Sequence, residues 1–386
     1  MFRINAQPVG YLDPWNSPLE ARIRQLAKGS QKVAYFYEYP DNRTFRYRVY
    51  NMIQALQNST YGTSASFFCY DEIHAWDQAI DLADVLVFCR SRYNFAFNRA
   101  VLKAHKQGKR VLFDIDDLVF NTAYAHLVLD SVDEEINPSE PWDFWFAYMG
   151  RLGASLNLCD AAITTNEYLA TQIHQFSAKP VAVIPNFLNR EQMEISEQIF
   201  QEKKNRRYER DNRIHLGYFS GTPSHHKDFK VISDALVNLL ERDPRITLRI
   251  VGNVDLKGSL QNYLSRIEAF PLQDFINLQR LIGEVEINLV PLQDNEFTNC
   301  KSELKYFEAG IVGTLTIATP VFTYAKAIKD GENGFLARSF EWYEKIYEGI
   351  CLKESYSTMA ERAHQDIVQK YAWYHQAEQL EKILFP

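Results

Sequence analysis

Cysteine is scarce: five residues, at positions 69, 89, 159, 300 and 351, stand in no CxxC pair and no Cys/His ligand spacing. That count and scatter argue against a disulfide framework and against a zinc site, and they fit a reducing compartment, so a cytoplasmic protein is expected. Long apolar runs are missing as well: none approaches the roughly 20 residues that span a bilayer. The first residues, MFRINAQPVGYLDP, show no charged segment followed by an apolar one, so no secretory signal is expected. Excess charge of either sign is small. With 42 basic and 49 acidic residues the net charge is −7, a balance whose overall field does not draw a nucleic-acid backbone. No internal repeat or low-complexity tract is present.

Aromatic residues, by contrast, are plentiful at 14%, with 25 Phe and 22 Tyr. Five of them cluster at Trp142, Phe144, Trp145, Phe146 and Tyr148. Their spacing predicts a helix packed into a core, with a membrane-surface or lipid-acceptor patch as the alternative. A chain of 386 residues exceeds one ordinary domain. Short apolar runs alternate with longer amphipathic ones, the pattern of parallel α/β architecture. KVAYFYEY, SASFFCYD, ADVLVFCR, RVLFDID, DAAITTN and PVAVIPN read as strands of a first unit. After a charged linker helix beginning near residue 190, IHLGYFSG, ITLRIVGN, EINLVPL and TLTIAT read as strands of a second. Two Rossmann-like domains facing a cleft are therefore expected, spanning 1–187 and 188–364. A C-terminal segment, 365–386, is expected to return onto the first domain. Ligands of such sheets sit beyond the carboxyl ends of the strands.

The segment from Val290, VPLQDNEFTNCKSELKYFEAGIVGTLTIATPVFTYAKAIKDGENGFLA, carries the most specific signal. A strand ending in Pro-Leu is followed by a loop, a helix with Glu308, an Ala-Gly turn, a small strand and a DGENGFL stretch. In that order these features resemble the donor region of GT-B fold glycosyltransferases of the group 1 (family 4-like) kind. The resemblance implies a nucleotide-sugar donor bound by the C-terminal domain. Lys301 and Ser302, at the start of the helix, would face the diphosphate, with Lys301 steadying charge on the leaving group. Glu308 would accept hydrogen bonds from the ribose. GYFSGTPSHHKDF, from Gly217, is similar to the first strand and loop of such a domain. Its Gly221, Thr222, Lys227 and, more weakly, His226 match the phosphate contacts. Backbone at Leu281 or Ile282 is matched to the base. One departure is plain: where the family motif carries a first Glu, with seven residues between it and the second, this chain has Cys300.

On the acceptor side, FDIDDLVF places Asp114, Asp116 and Asp117 at the end of a strand. Asp116 or Asp117 is the candidate to deprotonate an acceptor hydroxyl, against the plainer reading that one of them caps a helix. Three carboxylates so close are able to bind Mg²⁺, but the resemblance implies that no metal is required and no other cofactor. Arg46 and Arg48 are either anion contacts at the cleft or arginines on an amphipathic helix. The expected activity is hexosyl or deoxyhexosyl transfer to a glycan, glycolipid or glycoprotein, with peripheral membrane contact compatible with such acceptors. The family majority implies retention at the anomeric carbon, whereas a working carboxylate base accompanies inversion. An inactive partner subunit and another GT-B chemistry, such as epimerisation or polyol-phosphate transfer, are the competing readings.

Overall fold

The computed structural model describes residues 1–5, 7–131, 139–221, 226–252, 254, 256 and 258–386, with the backbone alone at His226. Six strands form the first sheet: β1 (Gln31–Tyr37), β2 (Thr63–Cys69), β3 (Val85–Cys89), β4 (Arg110–Asp114), β5 (Ala161–Thr164) and β6 (Val181–Val183). They are all parallel, in the order β2-β1-β3-β4-β5-β6. The second sheet holds β7 (Ile214–Phe219), β8 (Ile246–Val251), β9 (Ile267–Phe270), β10 (Ile287–Val290), β11 (Leu315–Ala318) and β12 (Phe335–Leu336). It too is parallel, in the order β12-β11-β10-β7-β8-β9. Helices cover both faces of a parallel sheet, which is why β2, β3, β8 and β10 are buried throughout, with no alternation of buried and exposed residues.

The order of strands reverses between β1 and β3 in the first sheet and between β7 and β10 in the second. Crevices open at such points, beyond the carboxyl ends. One of these ends is shaped by a glycine: Gly252 follows β8 at φ 94°, and a Cβ there would lie 2.0 Å from the Ser220 carbonyl oxygen. No L side chain fits that approach.

Three segments tie the sheets together. Residues 1–5 and 7–17 form a strap. Phe2 packs edge-on to Tyr208 beneath the second sheet, while Trp15 packs against Phe45 of the first unit and stacks on Phe275 of the second. The helix Arg190–Asn205, whose N-terminus is capped by Asn189 accepting from the Gln192 amide, runs between the units and packs on the helix Phe275–Glu284. The helix Ser355–Tyr371 lies against Leu304–Gly310 of the second unit. Beyond Ala372 the chain crosses over. The helix Ala377–Leu384 then packs on Asn51–Leu56, with Glu381 accepting from Thr63 Oγ1 at 2.6 Å.

The aromatic cluster lies on the helix Ser139–Leu158 and is split: Trp142, Trp145 and Tyr148 pack against the core of the first unit, while Phe144 and Phe146 do not. Phe144 and Phe146 are exposed, Trp142, Trp145 and Tyr148 half-buried, and only from Met149 onward does the helix bury its apolar side. Among the described residues, no helix is long and apolar enough to cross a membrane.

Candidate functional site

The carboxyl ends of the two sheets face each other across a cleft, and the residues that follow the strands meet there. From the first unit come Arg90 after β3, Asp116 and Asp117 after β4, and Asn166 after β5. From the second come the turn Pro291–Ser302 after β10 and Lys227 at the start of the helix His226–Arg242. The turn is seated in the opposing unit. Phe297 and Cys300 are buried within the apolar cluster of the first sheet, and Asn166 Nδ2 donates to the Cys300 carbonyl at 2.9 Å. Burial pushes the Cys300 thiol up despite the nearby Lys301, so this cysteine is an inert filler.

Lys301 follows at the rim. Its Nζ lies 3.0 Å from Asp117 Oδ1 and 4.3 Å from the Phe297 ring centroid. Asp117 and Asp116 share Arg90, whose Nη1 is 3.4 Å from one carboxylate and 3.2 Å from the other. Thr44 Oγ1 donates to Asp116 Oδ2 at 2.9 Å. Burial pushes the Asp116 carboxyl above the usual carboxylate range; Arg90 opposes that rise and the Asp117 charge adds to it. Lys227 pairs with Asp130 of the first unit. Asp130, Asp228, Gln293, Thr298 and Lys301 line the mouth of the cleft between the units. Neither Asp116 nor Asp117 caps a helix: Ile115–Phe120 is irregular backbone.

Lys305 was not among the expected site residues, yet it lies one helical turn beyond Lys301. Its Nζ is 5.3 Å from the Tyr218 ring centroid. Burial pushes this amine down to about 8, with Asp228 and Glu308 opposing the shift and Lys301 adding to it. A second lysine, four positions after the first and three before Glu308, was the available signal in the sequence.

Glu308 occupies a different environment from the open cleft wall expected. It is buried, and its Oε1 accepts from Arg46 Nη2 at 3.1 Å, from the Tyr47 hydroxyl, and from Gln192 Nε2 at 3.3 Å. Arg46 and Arg48 are correspondingly neither surface arginines nor free anion receptors. The helix Arg46–Leu56 opens with a π-helical turn, Arg46–Tyr50, whose wider spacing sends successive side chains to different neighbours. Arg46 goes to Glu308. Arg48, fully buried, binds Asp114 through two bonds of 2.8 and 2.9 Å and the Ile184 carbonyl at 2.7 Å. Asp114 is thereby committed to structure.

Ser302 is buried beside Glu303, and the helix bearing Glu308 begins at Leu304. Gly221 ends the strand region of β7 in open space, where an added Cβ would meet nothing within 4 Å. Thr222 lies outside the described residues, as does the side chain of His226. Ile282 is corrected. It is in the last turn of the helix Phe275–Glu284, it is 2% exposed, and its carbonyl accepts from Thr314 Oγ1 at 2.8 Å and from the Val285 amide, so it presents nothing to a base. The segment that does leave a strand toward the cleft here is 271–274, after β9, where the Phe270 carbonyl is bound by the Gly252 amide at 2.9 Å.

Residues 213–351 match the family model described as "Glycosyl transferases group 1". No curated protein matches the sequence. Among solved structures, the chain is similar to Anabaena Alr3699/HepE in complex with UDP and glucose (TM-score 0.60, 13% identity, 92% of this chain and 99% of that one). It is similar also to sucrose-phosphate synthase from Thermosynechococcus elongatus (TM-score 0.61, 13% identity, 92% and 98%). A third is the pneumococcal O-GlcNAc transferase GtfA in complex with UDP and GlcNAc (TM-score 0.52, 13% identity, 81% and 59%). At these identities the likeness establishes the fold. Residues 213–351 are thus similar to the group 1 glycosyl transferases, and the chain as a whole has the GT-B fold, a pair of facing Rossmann-like sheets.

Proposed function

We propose that the protein transfers a sugar from a nucleoside-diphosphate sugar, held by the C-terminal unit, to a hydroxyl of a glycan, glycolipid or glycoprotein presented by the N-terminal unit. The observation that carries this reading is the meeting of two sets of charges across one cleft. Lys227, Lys301 and Lys305 stand on the wall that belongs to the family domain, and Asp116, Asp117 and Asp130 stand on the other. The lysines are placed to hold a diphosphate and to steady the charge that develops on it as the glycosidic bond breaks. Gly221 leaves room for phosphate against backbone. The carboxylate whose burial raises its proton affinity, Asp116, is suited to receive the acceptor hydroxyl. Segment 271–274 replaces Ile282 as the place for the base. Glu308 remains the candidate for the ribose, on the condition that Arg46, Tyr47 and Gln192 yield it when the donor enters. UDP is the first nucleotide to test, since HepE and GtfA were both crystallised with it. Nothing among the described residues favours an inactive partner subunit, because Lys227 and Lys301 stand at the cleft.

Calorimetric titration with UDP, GDP, dTDP and ADP tests the reading. One nucleotide should bind in the micromolar range, and Lys301→Gln should weaken it about tenfold, the value of one charge-assisted contact. Absence of binding by all four would overturn the donor-site assignment.

A further inference from the structure

Arg90 is held by several partners on the N-terminal wall, and the transfer just described gives it no part. It follows β3 where the strand order of the first sheet reverses, at the mouth of that sheet's crevice. Its backbone lies in the left-handed region at φ 42°, which an arginine adopts only where its surroundings hold it there. Those surroundings are evident. Its amide donates to the Asp114 carbonyl at 2.9 Å, and Nη1 reaches Thr44 Oγ1 at 3.1 Å, Asp116 at 3.2 Å and Asp117 at 3.4 Å. Asp117 in turn lies 3.0 Å from Lys301 across the cleft. The same lysine is needed by a diphosphate, so carboxylate and phosphate compete for one ammonium group. Lys227 is capped in the same manner by Asp130.

We propose that Asp117 stands in for a donor phosphate on Lys301 while the cleft is closed and ligand-free, and that Arg90 is the positioning residue that takes Asp117 over when the diphosphate claims Lys301. The inference rests on the transfer reading above and deepens it. No covalent bond changes and no proton moves: the Lys301–Asp117 pair is exchanged for Lys301–phosphate, and Asp117 closes on Arg90, already 3.4 Å away. Without Arg90, the displaced carboxylate has a weaker refuge and repels the arriving phosphate. Thr44 cannot substitute for it, since its hydroxyl is already given to Asp116. The arrangement also keeps Asp116 and Asp117 apart in duty: the first is held towards Thr44, the second moves between two cations.

The test is a double-substitution cycle read by calorimetry, with inorganic diphosphate and UDP as the probes. Asparagine tolerates a left-handed backbone, so Arg90→Asn removes the charge without adding strain. Asp117→Asn should bind diphosphate about fivefold tighter, the worth of a partly exposed ion pair no longer competing. Arg90→Asn should bind it about fivefold weaker. The double variant should bind diphosphate about as well as Asp117→Asn alone, because Arg90 then has no displaced Asp117 carboxylate to receive and keeps only its bonds to Asp116 and Thr44. Arg90→Lys should recover most of the loss, and Arg90→Gln serves in place of Arg90→Asn if that variant does not fold. Effects that simply multiply in the double variant, or an Asp117→Asn affinity equal to that of the parent, would overturn the exchange. A parent protein that binds neither probe sinks the transfer reading itself, whereas binding of both with a multiplicative cycle sinks only the inference.

Discussion

Replacing Glu308 by alanine should destabilise the closed protein by about 3–5 kcal/mol, the usual cost of breaking a buried ion pair from one side. Arg46 and Glu308 are each only 5% exposed, and their contact is 3.1 Å. Removal of the carboxylate strands the guanidinium, the Tyr47 hydroxyl and the Gln192 amide in a space that water does not reach. Burial works against the Arg46 charge, but Tyr47 and Glu308 more than offset it and raise the pKa of the guanidinium, so this residue cannot escape the cost by losing its proton. Glu308→Gln keeps an acceptor oxygen and should lose less, about 1.5–3 kcal/mol, the value of hydrogen bonds to a charged partner. Removing both charges together, as Arg46→Met with Glu308→Leu, should restore most of the loss, since apolar pairs of similar volume commonly replace buried ion pairs at little cost. Urea unfolding followed by tryptophan fluorescence measures all three. A loss below about 1 kcal/mol for Glu308→Ala would refute the reasoning, because it would mean that Glu308 faces solvent rather than Arg46 in solution. The same ordering makes Glu308→Gln, not Glu308→Ala, the proper variant for nucleotide titrations.

Four further outcomes are expected. Lys305, held near 8 by burial, should be charged below that pH and neutral above it, so nucleotide affinity should fall as pH rises from about 7 to 9.5. Lys305→Met should flatten that dependence, and a parent whose affinity is level across the range would count against a phosphate contact. Because the folded value lies below the ordinary lysine value, the same group should cost stability as pH falls from about 10.5 to 8, with no further loss below. Gly252→Ala places a methyl against the Ser220 carbonyl and should cost at least about 2 kcal/mol in unfolding experiments. Gly221→Ala meets nothing and should leave stability unchanged while weakening UDP about tenfold; unaltered UDP affinity would remove Gly221 from the site. Asp114→Ala, which leaves Arg48 buried without its carboxylate, should destabilise by about 3 kcal/mol or more in the same urea experiment, marking the first aspartate of FDIDD as structural.

Much of this architecture is written along the chain because parallel sheets demand short, mostly apolar strands separated by amphipathic helices. β1, β4, β7, β8 and β10 are legible in that way. The donor loop is legible as well, since Pro291-Leu292, Lys301-Ser302, Glu308 and the DGENGFL stretch keep a fixed order set by one local supersecondary unit. What depends on distant partners is not. β9 and β12 are four and two residues long and owe their existence to β8 and β11 beside them. A helix register such as that of Ile282 decides whether a carbonyl is spent on Thr314 or offered to a ligand. The pairing of Arg46 with Glu308, 262 residues apart, and of Asp117 with Lys301 arises only when two separately folded sheets close on each other. The sequence by itself therefore determined the two α/β units and the residue types lining the donor side, through periodicity and local order. Which charges are buried, which face the cleft, and which carboxylate holds which lysine were decided by tertiary structure, because an ion pair is set by distance in space and the hydrophobic pattern carries no record of it.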